Sequence, residues 1–211
     1  MKNSFIDITF PISKRLPIWP NSIGYNYKWH LKMPEAGNNL SSIEIDNHTG
    51  THIDAPLHFI EGGKTIDELD LKKLIGEVFV AEIRSIRSIN ADDLNKAGIP
   101  DSCKRLILKT DNQDYWDRDE TIFQEDFCAL DQTGAQWIVD RGISFVGIDY
   151  LSIQRFHDGP ETHHILLNAE VVIVECLNLK DVISGKYEMM CLPIKLEGLE
   201  GAPVRAILKK N

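Results

Sequence analysis

Residues 47–59 read NHTGTHIDAPLHF and hold the densest group of side chains that could carry chemistry. His48, His52, Asp54 and His58 fall within this one stretch. Imidazole nitrogens and carboxylate oxygens form a ligand set that suits Zn²⁺, and also Mn²⁺ and Fe²⁺. The alternative is a group of ordinary loop histidines, although an even scatter would rarely place three of them beside an aspartate. The pattern therefore favours a metal site.

The local geometry of this segment follows from its glycine and proline. Gly50 and Pro56 argue against a continuous helix, because proline forces the residue before it towards extended geometry. In an extended chain, residues two and four apart share a face. We therefore expect the three histidines and the aspartate to point the same way, with Gly50 allowing a bulge that curls the segment around an ion.

A second group of candidate ligands occurs late in the chain, in FHDGPETHHILLNAEVVIVECL. Its acidic and imidazole side chains are His157, Asp158, Glu161, His163, His164 and Glu175. Glu175 ends the apolar run VVIV, where a carboxylate needs a partner unless the strand simply meets water there. We predict that this segment contributes one histidine and one glutamate to the site begun by the early group.

The elements that must position these side chains alternate between strand and helix patterns. Strands are predicted at GEVFVAEI, KRLILKT, ISFVGID, ILLNAEVVIVECL and GAPVRAIL, and short ones at SFIDITFPI and SSIEID. Helices are predicted at NADDLNKAG, with Asn90 as its cap and Gly98 as its stop, and at DQTGAQWIVDRG, ending at Gly142. Strands and helices mix without strict alternation. This pattern indicates an α/β or α+β fold, of which α/β is our prediction, forming one domain over residues 1–211.

Composition excludes several classes of function. The chain has 211 residues, is 43% hydrophobic and carries a formal charge of -9. An acidic chain lacks the basic surface that nucleic acid or an anionic membrane requires. Asp7 and Pro11 interrupt the N-terminal apolar run, so neither a signal peptide nor a membrane span is expected there. Without a CxxC pair, the four cysteines are expected to be reduced core thiols in a cytoplasmic protein.

The early motif also carries a family resemblance. HTGTHIDAPLH resembles the HxGTHxDxPxH signature of the cyclase family, which includes bacterial kynurenine formamidases and isatin hydrolases. DITFPISKRLPIWPN, RGISFVGIDYLSI and LPIKLEGLEGAPVRAIL resemble further parts of that family in the same order, so the resemblance covers nearly the whole chain. It implies a swivelling β/β/α domain with a mixed sheet and a few flanking helices, assembled as a dimer or tetramer.

Position by position, the resemblance implies roles for individual residues. The implied metal ligands are His48, His52, Asp54, His163 and Glu175. Spacing to the glutamate selects His163 over His164, and Asp54 would bridge where two ions bind. His58 matches the catalytic acid/base. Trp19 matches an aromatic pocket position, although it could equally be a core or interface residue, and WPNS replaces the WPGD of formamidases here.

The function implied is a metal-dependent hydrolase that cleaves a C–N amide bond. The substrate that the resemblance favours is an aryl formamide such as N-formylkynurenine. Water would be activated at one or two Zn²⁺ ions, or Mn²⁺, and His58 would act as general acid/base. The partners expected are a small aromatic amide and further copies of the chain, without nucleic acid or membrane. Two alternatives stay open: a ring-opening hydrolase of isatin or another cyclic amide, and a metal-binding protein without turnover.

Overall fold

A mixed eight-stranded sheet forms the centre of the protein in the computed structural model, which describes residues 5–118 and 121–210. The strands β1–β12 are Phe5–Asp7, Asn26–Leu31, Leu40–Glu44, His52–Asp54, Ile75–Glu82, Ser88–Ile89, Arg105–Lys109, Ala129–Leu130, Phe145–Ile148, Val172–Glu175, Gly185–Pro193 and Gly201–Lys209. The helices α1–α5 are Leu71–Leu74, Ala91–Lys96, Gln113–Asp117, Gln132–Asp140 and Glu161–Asn168. Two short 3₁₀ helices cover Pro56–His58 and Ile66–Glu68.

The strand order of the large sheet is β1-β12-β11-β5-β7-β9-β10-β4. The middle strands β5, β7, β9 and β10 run parallel to one another, and the outer pairs are antiparallel. β4 pairs with β12 as well as with β10, which closes the sheet into a barrel-like arrangement. The predicted α/β class, with a mixed sheet and few flanking helices, is confirmed. That residues 1–211 form one domain stays a prediction.

Buried side chains cover both faces of the central strands. Leu106 and Leu108 of β7 belong to a core that also includes buried residues of α2, α4 and α5. Ile107, between them, faces a second core enclosed by the curved sheet. Alternating residues of one strand thus enter different cores, which is why these strands are apolar throughout rather than at every second position.

Several local predictions are confirmed. The Asn90 side chain accepts a hydrogen bond from the Asp93 backbone N–H at the start of α2, and Gly98 follows its end with φ of +67°. At α4, the Asp131 carboxylate accepts from two backbone N–H groups. The predicted strands around residues 76–83, 104–110 and 143–149 correspond to β5, β7 and β9. The early strand predicted from SFIDITFPI covers only Phe5–Asp7, and Ser4 lies outside the described residues.

The prediction of one strand across ILLNAEVVIVECL was wrong for its first part. Residues 165–168 belong to α5, and only Val172–Glu175 forms β10. The buried side chains of α5 include Thr162, His163 and Leu166, spaced as one face of a helix. The apolar run therefore belongs to a helix that packs on the sheet before the chain enters the strand.

A second, separate sheet consists of the hairpin β2–β3 alone. Every residue of both strands is exposed. The cross-strand pair Tyr27–Ile43 and the neighbouring Trp29 give the hairpin an apolar face that is left open, with Trp29 47% exposed. A two-stranded hairpin without a covered face is marginally stable in water. Among residues 5–118 and 121–210, no helix has both the length and the apolar character to cross a membrane.

Candidate metal centre and cavity

The early motif folds as a turn, a short strand and a second turn, so the prediction of one extended face was wrong. Gly50 adopts φ of +71°, and β4 covers only His52–Asp54. Pro56 then begins a 3₁₀ turn, a position that suits its fixed φ. His48 and His58 consequently return towards Asp54 from the two ends, and their rings stack with centroids 4.0 Å apart.

Sheet pairing brings the early and late groups together. β4 and β10 are antiparallel, with Glu175 directly opposite His52, so the two side chains share one face. His52 Nε2 lies 3.5 Å from Glu175 Oε2 and 3.4 Å from Asp54 Oδ1. Asp54 is 0%, His52 2% and Glu175 4% exposed. The carboxylate that could have marked the end of a strand at water is instead buried in the site.

Helix α5 adds the late histidine. His163 Nε2 lies 3.7 Å from Asp54 Oδ2 and 3.4 Å from Glu175 Oε1. The ring of Phe59 stacks on His163, with centroids 4.3 Å apart and planes within 12°. The ring of His164 lies at the side of Phe59, at 5.8 Å between centroids. The geometry thus brings His163, rather than its neighbour, to the two carboxylates.

Backbone contacts fix the orientation of the candidate ligands. His52 Nδ1–H donates to the carbonyl of Gly50 at 2.8 Å, which leaves Nε2 facing the carboxylates when the ring is neutral. Glu175 Oε1 accepts a hydrogen bond from the Ile153 backbone N–H at 2.7 Å. Asp54 Oδ1 lies 2.9 Å from His48 Nδ1. These contacts hold the His52 ring and the Glu175 carboxylate in orientation and join His48 to Asp54.

The two buried carboxylates of this cluster, Asp54 and Glu175, require a positive charge close to them. Burial by itself lowers the pKa of His52, but the carboxylates of Asp54 and Glu175 raise it to about 10. Burial raises the pKa of Asp54, but His48 and His52 together hold it well below its usual value. Burial also raises the pKa of Glu175, but His163 and His52 lower it overall. A cation placed among these groups would serve the same electrostatic purpose as the proton on His52.

Unpartnered buried atoms test whether a metal ion fits here. Within the described part of the chain, His48 Nε2, His52 Nε2 and Asp54 Oδ2 are buried without a hydrogen-bond partner. Such orphaned atoms are uncommon in folded proteins and are costly unless something binds them. Imidazole and carboxylate donors together suit a divalent transition-metal ion. The cluster therefore fits a metal ion.

The donor atoms form two sets that share Asp54. One set comprises His48, Asp54 and His58, and the other His52, Asp54 and Glu175, with the ligand atoms of each set within 4.8 Å of one another. A shared carboxylate between two sets is the arrangement that a bridging ligand requires. His58, predicted as the acid/base, also lies within ligand distance in the first set. Burial lowers the pKa of His58 despite the nearby charge of Asp54.

A cavity of about 460 Å³ opens onto this cluster. Trp19, Phe59 and Phe156 supply its aromatic lining, and His48, His52, His58, His163 and Glu175 lie in its wall. Trp19 also packs edge-on against Phe123 and Phe156, with ring centroids 5.0 and 5.2 Å away. Trp19 thus lies in the cavity wall and also packs against an aromatic core cluster, and its role in binding substrate stays a prediction.

The WPNS segment, residues 19–22, forms a turn at the cavity rim. The Ser22 backbone N–H donates to the Trp19 carbonyl at 3.0 Å, and Asn21 has φ of +72°. Asparagine tolerates this left-handed conformation better than most residues, so it can stand where the formamidase pattern has glycine. Asn21 and Ser22 both line the cavity, where they add polar side chains to its rim.

Three side chains at the site escaped the sequence analysis. Gln154 Oε1 lies 3.3 Å from His163 Nδ1, and Glu200 Oε1 lies 3.5 Å from His48 Nε2. Asp46 Oδ1 accepts a hydrogen bond from the His48 backbone N–H at 3.2 Å. Only Asp46 carries a local sequence signal, since it precedes the motif by two residues. Glu200 reaches the site solely because β12 pairs with β4.

Known proteins match this chain over most of its length. Residues 6–155 match the family model described as "Putative cyclase". The chain belongs to the cyclase family. It is 35% identical to Cyclase-like protein 3 of Arabidopsis thaliana, over 97% of this chain and 79% of that protein. It is 33% identical to the kynurenine formamidase of Geobacillus thermodenitrificans, over 100% and 99% of the two chains.

Solved structures extend the comparison to the fold. A structure from Bacillus stearothermophilus, titled as a predicted metal-dependent hydrolase, superposes with a TM-score of 0.86 at 33% identity and covers 100% of both chains. Isatin hydrolase A of Labrenzia aggregata gives a TM-score of 0.80 at 18% identity, over 98% and 93% of the two chains, and shows the shared fold alone. The predicted resemblance and the predicted enzyme class, a metal-dependent hydrolase acting on a non-peptide C–N bond, are confirmed.

Proposed function

We propose that this cyclase-family protein hydrolyses the formamide C–N bond of an aryl formamide, with N-formylkynurenine as the best substrate. The observation that carries the proposal is the set of orphaned donor atoms of His48, His52 and Asp54 at the base of a cavity with aromatic walls. The base suits a metal ion and the walls suit an aromatic ring. Two full-length relatives named kynurenine formamidase, 33% and 31% identical, support the choice of substrate.

The residues that would hold the metal are His48, His52, Asp54, His163 and Glu175. We propose Zn²⁺, as one ion or two, with Mn²⁺ as the second choice, because both accept mixed imidazole and carboxylate ligands. When bound, such an ion lowers the pKa of a water ligand towards 7 and polarises a carbonyl oxygen. The shared position of Asp54 in both donor sets supports its role as the bridging ligand.

His58 would move the proton during the reaction. It lines the cavity and stacks on His48, so its imidazole adjoins both a candidate ligand and the space for substrate. We assign it two steps: it accepts the proton of the attacking water and donates it to the leaving nitrogen. Proton transfer by a positioned side chain contributes about 10²–10⁴-fold in rate.

The cavity walls would orient the substrate. The exposed part of Trp19 offers a flat apolar surface against which an aryl ring can stack. Phe156 packs against Trp19 and extends that surface. Phe59 stacks on the ring of His163. An aryl ring on this wall would place its formamide group towards the base of the cavity, where the candidate ligands lie.

The test is hydrolysis of N-formylkynurenine by protein loaded with Zn²⁺ or Mn²⁺. We expect turnover that falls about 10²–10⁴-fold in His58→Ala, with the bound metal retained in elemental analysis. His52→Ala should lose both metal and turnover. Full activity in His58→Ala would refute the acid/base role. Absence of turnover in metal-loaded wild-type protein would refute the formamide substrate, and absence of bound metal would refute the site itself.

We also propose that the protein acts as a homo-oligomer, a dimer or tetramer, in the cytoplasm. The exposed apolar face around Tyr27, Trp29 and Ile43 supports the oligomer, because apolar faces of this kind are usually covered by a partner. Light scattering coupled to size-exclusion chromatography tests this. The wild-type chain should elute as an oligomer, and a Trp29→Glu, Ile43→Glu double variant should shift towards the monomer mass. A monomeric wild-type chain would refute the proposal.

A further inference from the structure

Arg155 is the one arginine or lysine among the described residues that line the cavity. It follows Gln154, whose side chain contacts His163, and precedes Phe156, whose ring packs on Trp19. The guanidinium therefore belongs to a segment that is held at both the metal cluster and the aromatic wall.

The ion pair that Arg155 makes within the protein is weak. Its Nε lies 3.9 Å from Asp158 Oδ2, three residues along the chain, and both side chains are 38% exposed. Exposed pairs at this separation contribute little. The planar guanidinium therefore keeps the capacity for a bidentate contact to a carboxylate, which is its most specific form of recognition.

A second, smaller cavity of about 180 Å³ adjoins this position. Arg155 and Phe156 line both cavities. Arg87 lines the smaller space as well, together with the acidic side chains Glu125 and Asp126. Polar and charged side chains therefore lie beyond the aromatic wall, on the side of Arg155 that lines the smaller cavity.

We propose that Arg155 is a specificity-determining residue that binds a carboxylate on the substrate. This rests on the proposed function and deepens it, because it assigns a residue to the carboxylate that a substrate such as N-formylkynurenine already carries. The carboxylate would contact the Arg155 guanidinium while the ring lies on Trp19 and the formamide points to the metal cluster. Neutral aryl formamides would fit the same cavity but lack this contact.

Steady-state kinetics on three substrates tests the inference with metal-loaded protein. N-formylanthranilate and N-formylkynurenine carry a carboxylate, and formanilide does not. We expect Arg155→Gln to raise KM for the first two by about 10- to 100-fold, the usual effect of losing a hydrogen bond to a charged group. kcat should stay within a few-fold, formanilide kinetics should not change, and Arg155→Lys should recover part of the loss.

A matched control separates this effect from a general loss of surface charge. Arg141→Gln removes a guanidinium that pairs with Asp101 and lies over the Trp137 ring, and it should leave all three substrates unchanged. Equal losses on all three substrates in Arg155→Gln would overturn the carboxylate contact. So would an unchanged KM for both carboxylate substrates.

Binding measurements keep the inference testable if no formamide is hydrolysed. In that outcome the proposed function fails, and calorimetric titration of metal-loaded protein with anthranilate and with aniline takes the place of kinetics. Wild-type protein should bind anthranilate more tightly than aniline, and Arg155→Gln should lose that difference. Equal affinity of the variant and the wild type for anthranilate, or no binding by either, would overturn the role of Arg155.

Discussion

Replacement of Thr51 by valine tests how the two ligand-bearing strands are held together. Thr51 precedes His52 and is 1% exposed. Its hydroxyl donates to the Cys176 carbonyl at 2.6 Å and accepts from the Phe10 backbone N–H at 2.9 Å. Because Cys176 follows Glu175, this one hydroxyl joins the ends of β4 and β10 at the point where each presents a candidate ligand. Valine has nearly the same shape but leaves both backbone groups unpaired.

The magnitude follows from these two lost hydrogen bonds. Each buried backbone group left without a partner costs about 1–3 kcal/mol. We therefore expect Thr51→Val to lower the free energy of unfolding by roughly 2–6 kcal/mol, measured on metal-free protein by urea denaturation. For a chain of this length the melting temperature should fall by about 4–24 °C. Because the strand ends lose their alignment, Zn²⁺ affinity should also fall by about 10- to 100-fold.

Thr9→Val is the matched control. The Thr9 hydroxyl also makes two bonds, donating to the Ala206 carbonyl at 3.1 Å and accepting from the Ala206 N–H at 2.8 Å, but it is not next to a candidate ligand. Thr9→Val should lose stability and keep Zn²⁺ affinity, and Thr51→Ser should keep both. A Thr51→Val protein as stable as wild type would refute the reasoning. Equal Zn²⁺ affinities in the two valine variants would show that the hydroxyl does not position the ligands.

Three further predictions concern stability and metal binding. Burial raises the pKa of Asp149 to about 6, so the folded metal-free protein binds more protons than the unfolded chain between pH 4 and 6. Stability should therefore fall by about 3 kcal/mol as pH rises through this window, relative to Asp149→Asn. Zn²⁺ at about 100 times its Kd should raise the melting temperature by about 5–10 °C, an effect that Asp54→Asn should abolish. Gly201→Ala should weaken Zn²⁺ binding and lower stability, because the added Cβ would lie 2.8 Å from the Ile53 carbonyl oxygen of β4 and 2.9 Å from the His48 ring. Gly37→Ala meets no neighbouring atom within 4 Å and should be neutral.

Each of these has a contradicting outcome. Parallel stability curves from pH 4 to 6 for wild type and Asp149→Asn would show that the carboxyl titrates with an ordinary pKa. An equal thermal shift with Zn²⁺ in Asp54→Asn would place the ion elsewhere. Unchanged Zn²⁺ affinity in Gly201→Ala, measured by competition with a chromogenic chelator, would mean that the His48 ring moves without consequence for binding.

Local patterns were sufficient for much of the fold. α2 was predictable because Asn90 and Gly98 supply its cap and its stop, and β7 and β9 because their apolar runs are too short for buried helices. α5 was misread because ILL continues into the apolar run of β10. Its start was nonetheless encoded, since Pro160 and Glu161 are typical of a helix N-terminus.

The candidate site was predictable in its residues more than in its geometry. The chemistry of His48, His52 and Asp54 is visible in their types and spacing. Their arrangement depends on the left-handed turn at Gly50, which a face-sharing rule for extended chains cannot include. Glu200 and Gln154 could not be found at all, because they reach the site through the pairing of distant strands and the docking of α5.

The double pairing of β4 has a further consequence for how the protein folds. β4 lies between β10 and β12, so Asp54 is flanked by strands about 120 and 150 residues further along the chain. Contacts over such separations form slowly, because the entropy of closing a long loop is lost before the contacts can stabilise the chain. We therefore expect the candidate ligands to come together near the end of folding, so that an ion would bind only after the barrel has closed. Refolding rates measured by stopped-flow fluorescence should be the same with and without Zn²⁺, while the unfolding rate alone slows when the ion is present.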